Sequence, residues 1–133
     1  MNYKPILIVP GDPDSIFFEI FFKTLKKKQI KSPVILISSL NLVKKSINKY
    51  YTNIKLNEIK VSEINKKIFN KKIIYIININ YKLSESPKKY LNKCFEVAFK
   101  ILKSGFTNKF LNGPIEKKNF LNKKFLGITE FIS

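Results

Sequence analysis

Short apolar runs that stop at turn residues recur through this chain, and stretches of helical spacing lie between them. Pro5 to Val9 ends at Pro10-Gly11-Asp12-Pro13, and Pro33 to Ile37 ends at Ser38-Ser39. Lys72 to Ile79 is rich in β-branched residues. A continuous apolar run with no alternation is the mark of a strand covered on both faces. Lys109 to Asn112 reads as another such buried strand, closed by Gly113-Pro114. Ile54 to Val61 alternates imperfectly and predicts an edge strand, whereas Ile64 to Phe69 fits neither period.

The intervening segments supply helices. Ile16 to Lys28 places Phe17, Phe18, Phe21, Phe22 and Leu25 on one stripe, with Asp14 or Ser15 as caps and lysines in the last turn, where cations suit the dipole. Leu40 to Lys49 forms a second helix behind Ser38 or Ser39. Pro87 to Lys103 is the strongest helical segment. Ser86 caps it, Pro87 suits the first helical position, and Gly105 follows as the left-handed closing residue. Glu116 to Leu121 suggests one more short helix. Strand and helix alternate throughout, which predicts an α/β fold with a largely parallel sheet and, at 133 residues, one domain.

Composition narrows the function. All 26 basic residues are lysines and the formal net charge is +17. Clustered cations favour polyanions through counterion release. The absence of arginine removes the side chain best suited to forked phosphate contacts and guanine reading, and Lys, Ile and Asn are enriched together, as AT-rich coding would enrich them. A lysine-coated solvated surface is therefore favoured over a nucleic-acid site. One cysteine, Cys94, excludes an internal disulfide and sits on a helical stripe as a small hydrophobe. There is no histidine, which rules out Ser-His-Asp and Cys-His catalysis and leaves no ordinary zinc set. The first apolar run is too short for a signal peptide and no run reaches bilayer length, so a cytoplasmic protein without a membrane partner is expected.

In a parallel sheet, ligands bind beyond the carboxyl ends of the strands. Three loops qualify: Pro10 to Ser15, Asn78 to Ser86, and Asn112 to Lys117. Asp12 and Asp14 fit either a divalent cation or ordinary turn and cap roles. Gly113 permits close backbone approach, and Lys117 fits either a point charge for phosphate or carboxylate, or an exposed lysine after a turn.

The order of these pieces resembles one family. Lys4-Pro5-Ile6-Leu7-Ile8, then Gly11-Asp12-Pro13, then Glu19-Ile20, is similar to the opening of the NAD-dependent 4-hydroxythreonine-4-phosphate dehydrogenases of pyridoxal phosphate (vitamin B6) synthesis. Pro33 to Ile37 takes the place of their second strand. Gly113-Pro114-Ile115-Glu116-Lys117 and Gly127-Ile128-Thr129-Glu130-Phe131 resemble two later segments, the second normally Gly-His-Thr-Glu-Phe/Tyr. Ile128 thus stands at the family histidine, while Ser15 and Phe17-Phe18 replace the glycines and proline usual in the first loop.

The resemblance implies a three-layer fold like that of isocitrate and isopropylmalate dehydrogenases, incomplete here. It implies homodimers that use NAD and a divalent metal (Zn, Mg or Co) to oxidise and decarboxylate 4-(phosphooxy)-threonine to 3-amino-2-oxopropyl phosphate. Thr129, Ile128, Lys117 and Gly113 fall at substrate-binding positions, with Gly11, Asp12 and Pro13 as loop candidates. The family's metal-binding histidines and main cofactor contacts match positions past Ser133, so no metal ligand or catalytic residue is expected within residues 1–133. The chain then reads as the amino-terminal part of a longer dehydrogenase, a truncated product or a divergent relative, inactive alone. The alternative reading is a small basic α/β module that binds nucleic acid or another polyanion. A third is an inactive relative kept for dimerisation through its Phe-rich first helix.

Overall fold

A computed structural model describes residues 4–13, 16–27, 30–50, 53–82 and 84–113. Five strands form one sheet: β1 (Ile6–Val9), β2 (Val34–Ser38), β3 (Lys55–Glu58), β4 (Ile73–Asn78) and β5 (Phe110–Asn112). Their spatial order is β3-β4-β2-β1-β5, and every neighbouring pair is parallel. Three α-helices connect them: α1 (Phe17–Lys27), α2 (Leu40–Tyr50) and α3 (Pro87–Lys103). Val61–Lys66, which overlaps the start of the Ile64 to Phe69 stretch that fitted neither period, is a 3-10 helix. Its first turn is closed by Glu63, whose carboxylate accepts from the Lys60 N–H at 3.0 Å.

The pleat of the central strands sorts side chains to two cores. Leu7, Val9, Ile35, Ile37, Tyr75 and Ile77 face α3, packing on Leu91, Cys94, Phe95 and Ala98. Ile8, Val34, Leu36, Ile74 and Ile76 face α1 and α2, packing on the four phenylalanines, Val43 and Ile47. Covered on both sides, β2 has no polar face, which explains its unbroken apolar run. The architecture is three layers, as the dehydrogenase-like reading implies. The four phenylalanines of α1 are spent on the sheet: Phe17 stacks on Phe21 at 5.4 Å between ring centres, and Phe18 on Phe22 at 6.0 Å. Burying each contributes about 1.5–3 kcal/mol.

One expectation is corrected. Lys109 to Asn112 was predicted as a strand buried on both faces; β5 is a half-exposed edge strand with Leu111 at 52% exposure. Phe110 packs toward Phe95 and Phe99, so only one face of this strand is well covered. The edge position of β3 and the limits of α3, including Pro87 and the left-handed Gly105 (φ 82°), agree with the sequence reading. The caps proposed at Asp14 and Ser15, and the helix from 116 to 121, lie outside the described residues. Among the described residues no helix is long and apolar enough to cross a membrane.

Candidate functional site

Because all five strands run the same way, their carboxyl ends line one edge of the sheet, where α1, α2 and α3 begin. From β1 the chain steps to β2 and onward to β3 on one side. It later crosses by α3 to place β5 on the other side of β1. The strand order therefore reverses between β1 and β5, which is where an open parallel sheet leaves a crevice for ligands.

The two turns at that reversal touch. Val9 pairs with Asn112, and the next residue, Gly113, donates its N–H to the Val9 carbonyl at 2.7 Å. A Cβ on Gly113 would lie 1.9 Å from the Pro10 carbonyl oxygen and 2.7 Å from a ring carbon of Phe17. Only a residue without a side chain fits. Gly11 takes φ 98°, a left-handed conformation that glycine adopts without penalty and that folds the chain back off the end of β1. Asp12 and Pro13 follow, half-buried. Asn112 steadies the opposite side by donating its amide to the Gly113 carbonyl at 3.1 Å. Phe17, which stands where the resembled family carries smaller residues, tucks beneath this junction and is 8% exposed.

A second polar group lies along the same edge at β2. The buried Tyr90 hydroxyl, from the first turn of α3, accepts from the Ser39 N–H at 2.8 Å and shares a hydrogen bond with the Ser38 hydroxyl at 3.0 Å. The Asn78 carboxamide oxygen, at the end of β4, accepts from the Leu40 N–H at 2.9 Å, and the Ser39 hydroxyl accepts from Leu42 at 3.4 Å. The first turn of α2 is thus capped from two strands. Burial, and next the neighbouring Cys94, push the Tyr90 phenol far above its ordinary range. Burial also pushes the Cys94 thiol up to about 12. Both stay protonated at neutral pH, so neither acts as a nucleophile there, and Cys94 serves as packing. At the entry to α3 the Lys93 ammonium bonds the Glu85 carboxylate at 3.2 Å and holds it below the usual range.

Of the residues singled out from sequence, Gly113 meets Val9 and Pro10 at the β1–β5 junction, and Gly11, Asp12 and Pro13 follow Pro10 directly along the chain. Lys117, Ile128 and Thr129 lie outside the described residues. Tyr90 and Asn78 were not singled out as polar partners. Tyr90 lies on the buried apolar face of α3, yet a tyrosine in the first helical turn brings a hydroxyl that needs a partner when buried. Among the described residues no three His, Cys, Asp or Glu side chains come together, the chain has no histidine, and no Gly-x-Gly-x-x-Gly turn is present for a dinucleotide.

No protein-family model and no curated protein matches this sequence. Solved structures do. A 4-hydroxythreonine-4-phosphate dehydrogenase from Burkholderia phymatum superposes with a TM-score of 0.73 at 16% identity, over 98% of this chain and 43% of its own. That from Klebsiella pneumoniae gives 0.69 at 18% identity, over 90% and 39%. A Salmonella typhimurium protein assigned the same activity gives 0.70 at 22% identity, over 90% and 40%. This chain shares their fold and spans about two fifths of their length.

Proposed function

We propose that this chain is a divergent counterpart of the substrate-receiving part of the 4-hydroxythreonine-4-phosphate dehydrogenases, with a phosphorylated amino acid seated where the β1 and β5 turns meet. The observation that carries this is the reversal of strand order between β1 and β5, which brings their following turns together at the carboxyl edge of the sheet. The fold shared with proteins of that activity supports it. In this reading the backbone of Gly11 and Gly113 shapes the cleft. Lys117 offers a point charge to the phosphate and Thr129 a hydroxyl to the substrate, as the resemblance implies.

The activity itself is oxidation of the secondary alcohol of 4-(phosphooxy)-threonine with NAD as hydride acceptor, then loss of carbon dioxide to give 3-amino-2-oxopropyl phosphate. Residues 1–133 contribute binding and orientation, not the redox step. With no histidine they have no imidazole for metal binding or proton transfer, and Ile128 puts an apolar group where the family has a polar contact. Titrating the chain with 4-(phosphooxy)-threonine, followed by heteronuclear NMR, tests the reading. Saturable shifts at Gly11 and Gly113, weakened by Lys117→Ala, are expected, with no NADH formed when NAD and magnesium or zinc are added. Absence of any saturable shift at the β1–β5 junction would remove the basis for the assignment.

A further inference from the structure

At the opposite edge of the sheet, where the strands begin, a cavity of about 380 Å³ opens between the end of α3 and the approaches to β1 and β5. Phe99 and Leu102 give it an apolar lining, and Lys4, Lys103 and Asn108 also line it. Its size falls near the lower end of the roughly 300–1,000 Å³ common for small-molecule sites.

The polar groups around it sort clearly. Thr107 is committed: its hydroxyl donates to the Pro5 carbonyl at 2.8 Å and accepts from the Lys109 N–H at 3.2 Å. The closing carbonyls of α3 are also occupied. Ser104 N–H reaches those of Lys100 and Ile101 at 3.2 Å, and Gly105 N–H reaches that of Leu102 at 3.1 Å. The negative end of the helix is thereby muted. Among the described side chains, what remains to face a ligand is two ammonium groups and a carboxamide. Among the described residues no carboxylate lines the cavity, and neither Lys4 nor Lys103 has a carboxylate partner. An apolar wall shared with two cations that have no carboxylate partner among the described residues suits a molecule that is apolar at one end and anionic at the other.

We propose that this cavity binds a small organic carboxylate, its single ring or short branched chain lying on Phe99 and Leu102 and its charge between Lys4 and Lys103. The site is separate from the β1–β5 junction and does not depend on the reading given for it.

An NMR titration of the full chain with 4-phenylbutyrate, its neutral amide and inorganic phosphate tests the proposal. Saturable shifts are expected at Leu102, Gly105 and Thr107 but not at Gly11 or Gly113. The amide and phosphate should each bind at least tenfold more weakly, since each lacks one half of the recognition. Lys4→Gln and Lys103→Gln alter exposed side chains, so they should keep the wild-type melting temperature while together weakening 4-phenylbutyrate at least tenfold. Non-saturating shifts, equal binding of acid and amide, equal binding of phosphate alone, or undiminished binding by the double variant would each overturn it.

Discussion

Replacing Gly113 by alanine tests the junction that organises the candidate site. The added methyl would stand 1.9 Å from the Pro10 carbonyl oxygen. Carbon and oxygen in non-bonded contact settle at about 3.3 Å or more, so the overlap is about 1.4 Å. Because the nearest atom is backbone, no rotamer change relieves the clash. The β1 and β5 turns must part, and the Gly113–Val9 hydrogen bond stretches or breaks. Loss of that bond costs about 0.5–1.5 kcal/mol and forced repacking about 1–3 kcal/mol, for a sum of about 1.5–4.5 kcal/mol. At about 4 °C per kcal/mol for a chain of this size, the melting temperature should fall by about 6–18 °C. Urea unfolding followed by circular dichroism gives the free energy directly. Gly105→Ala is the matching control. Its Cβ meets nothing within 4 Å, but its φ of 82° is left-handed, so it should lose only about 1–2 kcal/mol from backbone strain. Adding Phe17→Leu to Gly113→Ala should restore little, since the backbone contact is the tighter one. A Gly113→Ala protein within about 0.5 kcal/mol of wild type, a change ordinary for surface sites, would refute the close approach of the two turns.

Tyr90→Phe strips the acceptor from the buried Ser39 N–H and should cost about 1–3 kcal/mol, read from the urea midpoint. Asn78→Ala removes a cap from α2 and should cost about 0.5–2 kcal/mol, with loss of helical signal on mild heating. Alkaline pH should destabilise the fold. Cys94 and Tyr90 are held protonated above their ordinary values of 9.0 and 10.0, so above those values the unfolded chain releases protons that the folded chain retains. Stability from this source is complete below about pH 9 and declines above it, for Cys94 through about 12. Urea midpoints at pH 8 and pH 11 measure the decline, and Cys94→Ala should remove its first part.

The sheet and helices were legible because their physics is local. An apolar run bounded by Pro, Gly or Ser, such as Pro33 to Ser39, can bury both faces only inside a layered fold. Pro87 and Gly105 mark the two ends of α3 by what their backbones permit. Strand order was not legible, since the pairing of β4 between β2 and β3 joins segments distant in sequence. The same limit explains the error at β5: three residues carry too short a pattern to separate a buried strand from an edge strand. The role of Tyr90 was hidden too, because its partners, Ser38 and Ser39, lie 52 and 51 residues away.

Gly113 shows how far such legibility reaches toward function. From sequence, a glycine after a strand suggests room for a ligand to approach the backbone. In the fold that room is filled by the Pro10 carbonyl and the Phe17 ring. Packing alone therefore requires the glycine, and its presence is no argument for a ligand. Topology supplies the argument instead. The contact falls where strand order reverses, so the two turns that meet there flank a crevice whatever holds them together. Side chains brought to that crevice decide what binds in it, and in the proposed reading Lys117 supplies the cation for a phosphate there, which makes the response of 4-(phosphooxy)-threonine binding to Lys117→Ala the measurement on which that reading turns.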